Sequence, residues 1–397
     1  MVFHKILLTN LTLLTLLSGC SWISNTDHFN KKSMLSTIQN QLAPVKIWSK
    51  TVGDGEPHSD STLQPVASNN TVYAADPSGI VTALNVIDGK EKWKINLAER
   101  AGLFSNKMPA LLSGGLTIHD HALYLGTENA KVFALNIRDG SIIWQTNVMG
   151  EVLSCPVVSD NIVLVHTSNG MLQGLNQFNG VVTWSLNLDV SEFNLRGQSS
   201  PAISYGTAVI GGDNGNVSAV MSNQGKLIWQ QSITKKRSTT TGVNRLSDID
   251  TTPLVMNGIV YAIAYNGDLT ALDLQSGRIL WQRDIGSVHG MVLDIDRIFL
   301  VDKEDRLMAI NIKNGTNIWR QSYLLHRHLT PPALYSNHVV VGDQKGYIYW
   351  INPDSGRVVF QKQIDPTGFA TQPIITNNNF LLMIQSKSNQ IHAIMNE

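Results

Sequence analysis

The sequence predicts an all-β protein, an eight-bladed β-propeller with four-stranded antiparallel blades, its ring closed by the N-terminal strand joining the last blade. Three observations predict it. An aromatic returns at Trp48, Trp93, Trp144, Trp184, Trp229, Trp281, Trp319 and Phe360, at spacings of 45, 51, 40, 45, 52, 38 and 41 residues. One aromatic per unit at such a period marks a propeller or solenoid. All but the first stand at the end of one recurring unit, as in Ala134-Leu135-Asn136-Ile137-Arg138-Asp139-Gly140-Ser141-Ile142-Ile143-Trp144. Finally, the last unit stops one strand short, while the N-terminus has one to spare around Trp48.

The chemistry of the unit says β. An apolar run enters a tight polar turn and a second apolar run leaves it. The Asn or Asp bonds its own backbone two residues on, and the Gly supplies the positive φ that the turn requires. Turns of one type between alternating runs such as Ile142-Ile143-Trp144-Gln145-Thr146 are hairpins. The first unit offers four short runs, around Gln64–Ala67, Thr71–Ala74, Ile80–Leu84 and Glu91–Ile95, and the pattern returns behind each aromatic.

The strand mismatch at the two ends decides between an open and a closed form. A linear array needs polar caps at both ends. A ring completes its last sheet with the N-terminal strand and loses an exposed edge. The strand around Trp48 is therefore expected to pair with that around Ala393. Alternating strand directions put the DG turns on one face of the ring. The long connections 98–112, 188–200 and 234–251 project from the other, where functional loops are expected.

Bulk composition excludes several classes. With 30 basic and 30 acidic residues and a formal charge of zero, no basic face points to nucleic acid. Lys235-Lys236-Arg237 is a short run in a polar loop. The N-terminus stands apart: Lys5 precedes an almost wholly apolar stretch from Ile6 to Leu17, too short to span a bilayer and suited to a signal peptide. Leu17-Ser18-Gly19-Cys20 resembles the lipobox of bacterial lipoproteins, which implies cleavage before Cys20 and its acylation. By the same resemblance, Ser21 after it implies the outer membrane. The expected organisation is a signal peptide over 1–19, a lipidated tether over 20–43 with a brief helix around 34–41, and the propeller over 44–397. Cys155, the one cysteine left, precedes Pro156 where sister units keep Ser or Thr, and reads as a packing residue.

No constellation appoints a catalyst or a metal. Asp294-Ile295-Asp296 and Asp302-Lys303-Glu304-Asp305 lack the spacing and Gly of a calcium loop. His119-Asp120-His121 and His326-Arg327-His328 have no partner group at ligand spacing. Asp248 and Asp250 form a possible acid/base pair, but no third group assigns their roles.

Two consecutive connections are unusual for another reason. Phe193-Asn194-Leu195-Arg196-Gly197 and Arg245-Leu246-Ser247-Asp248-Ile249-Asp250 place apolar and Arg side chains beside carboxylates, the composition of an interface hot spot. A bracing ion pair from Arg196 to Asp248 or Asp250 fits the same residues.

The repeat resembles that of the pyrroloquinoline-quinone (PQQ) dehydrogenases, whose blades carry an A-x-D/N-x-x-x-G-x-x-x-W docking motif. Those enzymes keep a vicinal Cys-Cys over the cofactor. This sequence has none, and nothing matches their calcium ligands, so no cofactor is expected. The lipobox, the eight-unit ring and the two loops together resemble the BamB family, lipoprotein subunits of the machinery that inserts β-barrel proteins into the bacterial outer membrane. That resemblance implies a non-catalytic scaffold docking on the periplasmic POTRA repeats of BamA and aiding unfolded barrel precursors. It assigns the contacts to Leu195, Arg196, Asp248 and Asp250, and to Phe193, where the family more often has an aliphatic residue. A quinoprotein dehydrogenase with a divergent site and a glycan-binding propeller are the alternatives.

Overall fold

A computed structural model describes residues 38–53, 63–100, 107–188, 199–234, 248–376 and 380–396. Eight four-stranded antiparallel sheets form the ring. Blades 1 to 7 take residues 66–96, 112–147, 157–187, 202–232, 254–283, 292–321 and 333–363. Blade 8 combines three strands from 374–395 with Val45–Thr51 as its outermost strand. Trp48 pairs with Ala393 across that seam, so the last sheet is completed by the start of the ring. Glu99–Arg100 and Lys107–Met108 add a small ribbon in the first connection. The described residues contain no helix, and the helix expected over 34–41 is absent from its described end, Ile38–Gln41.

Burial follows position within each blade. Middle strands are covered by neighbouring blades on both faces, so Thr71–Ala75 is buried throughout and Leu123, Tyr124 and Leu125 are each fully enclosed. Outer strands alternate, as Glu91–Asn96 does between exposed and half-buried positions, because only one of their faces meets another blade. The core is thus a chain of clusters, each shared by adjacent blades.

The recurring aromatic is the coupling between blades. The indole N–H of Trp48 donates to the Val86 carbonyl of the next blade at 2.9 Å. Trp93, Trp144, Trp229, Trp281 and Trp319 do the same to Ile137, Gln177, Leu274, Ile312 and Pro353. Each ring also lies over the glycine of that blade's turn: a Cβ added at Gly89 would sit 2.7 Å from Trp48, and one at Gly277 2.6 Å from Trp229. The glycine therefore meets two demands at once, a positive φ and a close aromatic neighbour. Within its own blade each Trp faces a small residue, as Ala83 faces Trp93 and Ala271 faces Trp281.

Two junctions depart from this rule for physical reasons. At blade 3, Gly174 replaces that alanine, and the Trp184 indole fills the missing Cβ position. Settled there, its N–H meets no acceptor among the described residues. At blade 7 the sizes are exchanged: Trp350 stands opposite Phe360, with ring centroids 5.2 Å apart and edge to face. The next blade has no third-to-fourth turn, because its fourth strand comes from the N-terminus. With no turn carbonyl to reach, an indole at 360 would lack its acceptor, and Phe suffices.

Candidate functional site

The face carrying the long connections is built on the turns between second and third strands. In blades 1, 6 and 7 that turn opens with an aspartate that caps it. Asp76 accepts from Ser78 Oγ and from the Gly79 and Ile80 amides, and Asp302 and Asp343 act alike. Blades 4 and 5 have Gly212 and Ala264 there instead, and the stretch 248–251 runs beside both turns, bonded to Gly212 and Tyr265.

Ile249 is the wedge. It is buried against Val209, Val217 and Val260, and a side chain on Gly211 would overlap it. Its N–H donates to Gly212 O at 3.2 Å, while the Asp248 carbonyl accepts from Tyr265 N–H at 3.0 Å. Thr251 Oγ1 donates to Ile263 O at 3.2 Å and Ser199 Oγ donates to Thr251 O at 3.1 Å. Ser199 O in turn meets His166 Nδ1 at 2.9 Å. Both ends of the stretch are thereby tied to blades 4 and 5, and the lead-in to blade 4 at 199 is tied to the lead-in to blade 5 at 251. Burial holds the His166 imidazole down to about 4, so it works as a neutral structural group.

The wedge fixes where its acidic neighbours go. Asp248 is buried and Asp250 half-buried, and Asp250 Oδ1 accepts no hydrogen bond among the described residues. Burial pushes the Asp250 carboxyl up to about 7, and the charges of Asp248 and Asp213 push the same way. Asp213 was not singled out by sequence. Its signal is the Gly211-Gly212-Asp213 order, which displaces an aspartate by one position from where blades 1, 6 and 7 keep theirs. A cluster of carboxylates beside a wedge offers a cation a strong electrostatic target. Cys20, Phe193, Leu195 and Arg196 lie outside the described residues.

The remaining clusters serve the scaffold. Arg297 gathers Asp294 at 2.8 Å, Asp296 at 3.3 Å and Asp354 at 2.7 Å. Arg327, buried between His326 and His328, pairs with Asp343 at 2.5 Å and lies over the rings of Tyr347 and Tyr349. Cys155 rests on Gly115, and burial raises its thiol above the ordinary range, away from nucleophilic use.

Comparison with known proteins agrees with this architecture. A family model described as "Outer membrane protein assembly factor BamB" matches residues 40–105 and 100–321. Proteins of that name from Escherichia coli strain K12 and Yersinia pestis are 51% and 48% identical. Those matches cover 99% of this chain and 100% and 99% of those proteins. The chain belongs to the BamB family. The crystal structure of BamB from Moraxella catarrhalis superposes with a TM-score of 0.77 at 24% identity, covering 89% of this chain and 100% of that one. The quinohemoprotein alcohol dehydrogenase of Comamonas testosteroni gives 0.70 at 12% identity, covering 90% and 77%. At these identities both report the fold, and the family membership rests on the full-length relatives.

Proposed function

We propose that this protein is an outer membrane protein assembly factor that works as a non-catalytic docking platform. It is held at the periplasmic face of the outer membrane through acylated Cys20, with 1–19 as its signal peptide and 20–43 as its tether. Its connection face binds the POTRA repeats of BamA, and the ring holds that face rigid while unfolded barrel precursors are delivered. The observation that carries the reading is the pinned Asp248-Ile249-Asp250 wedge between blades 4 and 5. A rigid stretch loses little freedom on binding, so its contacts contribute nearly in full.

Burial divides the work within the stretch. Asp250 is the acid with exposed surface to meet a partner cation, and buried Asp248 acts by shaping the loop. Leu195 and Arg196 supply the apolar and cationic anchors from the preceding connection, with Phe193 beside them. The test is capture of the purified BamA POTRA repeats by variants whose melting temperatures match the parent. Leu195→Ala/Arg196→Ala and Asp250→Ala are each expected to weaken capture tenfold or more. Undiminished capture by both variants overturns the docking face.

A further inference from the structure

The stretch that leads into the closing strand does not lie on the blade it closes. Residues 38–44 run along the outer edge of blade 7. Gln41 N–H donates to Val359 O at 2.8 Å. Asn40 takes Gln361 with both ends of its amide: Nδ2 donates to the carbonyl at 3.3 Å, and Oδ1 accepts the N–H at 3.0 Å. One side chain thus copies the two-bond pairing of a neighbouring strand. Leu42 packs on the cluster of Val359, Phe360 and Phe369 at the junction that has no turn of its own, and Pro44 is buried.

The cover is visible in exposure. The residue just before the aromatic is Ile143, Ile228, Leu280 and Ile318 in blades 2, 4, 5 and 6, exposed by 48, 45, 38 and 46%. The corresponding Val359 of blade 7 is 7% exposed. An edge strand with bare N–H and C=O groups is here occupied by the chain itself.

Register gives the direction. From Gln41 back to Asn40 the contacts pass from Val359 to Gln361, towards the end of that strand at Gln363 and hence towards the connection face. The closing strand starts at the opposite face: Val45 pairs with Met395, and only its far end, Thr51, reaches Gln390 beside the second-to-third turn. Six residue steps at ~3.3 Å separate the two faces by roughly 20 Å. Eighteen residues, the number from 20 to 37, would span only ~23 Å r.m.s. as a random coil. The face from which the tether departs therefore matters as much as its length.

We propose that residues 38–44 are a clasp that sends the lipid tether off the connection face at blade 7, turning that face, with Asp250 on it, towards the lipid surface. The inference rests on the acylation of Cys20 proposed above. Anchor and docking loops then share one face, and the hairpin-turn face looks away from the membrane.

The test uses the acylated full chain on vesicles of phosphatidylethanolamine and phosphatidylglycerol containing a nitroxide lipid. Fluorophores are placed, in a Cys155→Ser background, at Lys303→Cys on the connection face or Tyr205→Cys on the turn face, both exposed. Quenching is expected to be stronger at 303 than at 205. In Asn40→Ala/Leu42→Ala that difference should vanish while vesicle binding persists, and exchange of the Gln361 amide should quicken at least tenfold. Equal quenching at both positions in the parent, or Gln361 exchange unchanged by the variant, overturns the clasp. Failure of the parent to bind vesicles overturns the anchor instead, and Gln361 exchange then decides the clasp alone.

Discussion

Trp48 stands opposite Ala393 although 345 residues separate them, and its indole donates to Val86 in blade 1. One side chain on the N-terminal strand thus joins the last blade to the first. Because the contact is made between the two ends of the ring, it forms only when every blade between them is in place. Deleting 44–52 should abolish cooperative unfolding of the native ring, and Trp48→Ala should cost about 3 kcal/mol in urea titrations. Parent-like stability in both would mean that the seam carries no load.

The turn glycines allow a matched comparison. Gly277 and Gly258 both have positive φ, 69° and 76°, but an added Cβ meets the Trp229 ring at the first and nothing within 4 Å at the second. Gly258→Ala should cost only the backbone strain, about 1 kcal/mol. Gly277→Ala should cost roughly 1–3 kcal/mol more, because the blade junction must open to admit the methyl group. Equal losses would show that turn conformation alone, without the aromatic contact, selects glycine there.

Blade 7 predicts a coupling. Trp350→Ala should cost about 3–5 kcal/mol, since the side chain is fully buried. Adding Phe360→Trp restores the small-opposite-Trp arrangement of the other blades and should recover part of the loss. Recovery should be incomplete, because the next blade has no turn carbonyl for the new indole. A double mutant no more stable than Trp350→Ala would contradict the exchange of sizes.

Asp250 gives the protein a pH dependence of definite sign. Burial and its acidic neighbours push its carboxyl up to about 7 in the folded state, from the ordinary aspartate value of 3.8 that holds when unfolded, so the folded state holds the extra proton between those values. Stability from this group is then highest at low pH and falls as pH rises from about 4 to about 7. Asp250→Asn removes the slope, and its unfolding free energy in urea titrations should exceed the parent's towards pH 8, by roughly 1–3 kcal/mol after allowance for partial exposure. A variant that loses stability at pH 8 would mean that a cation already neutralises Asp250 in the free protein.

Much of the fold was legible because a period survives wherever local chemistry repeats. The Asn or Asp, the glycine and the aromatic each satisfy a local demand, so their recurrence marks blades, and the missing fourth strand marks closure. Less could be read where an outcome depended on a distant partner. The place of Asp248 follows from Gly211, some thirty-five residues earlier, leaving room for Ile249. The Asn40–Gln361 pairing has no period at all, so the sequence of this polar, aperiodic stretch predicts only a tether and a brief helix. Phe360 reads as one more aromatic of the series, and the cause of its being Phe is the broken turn of the next blade.

The central claim is that the connection face is the one that meets the assembly machinery. In-cell photo-crosslinking tests it most directly, with a photoreactive residue at position 195, in the connection that leads to blade 4, or at 205 on the turn face, where Tyr205 is 91% exposed. The account predicts an adduct with BamA from 195 and none from 205. An adduct from 205 alone, or equal yield from both, would contradict it.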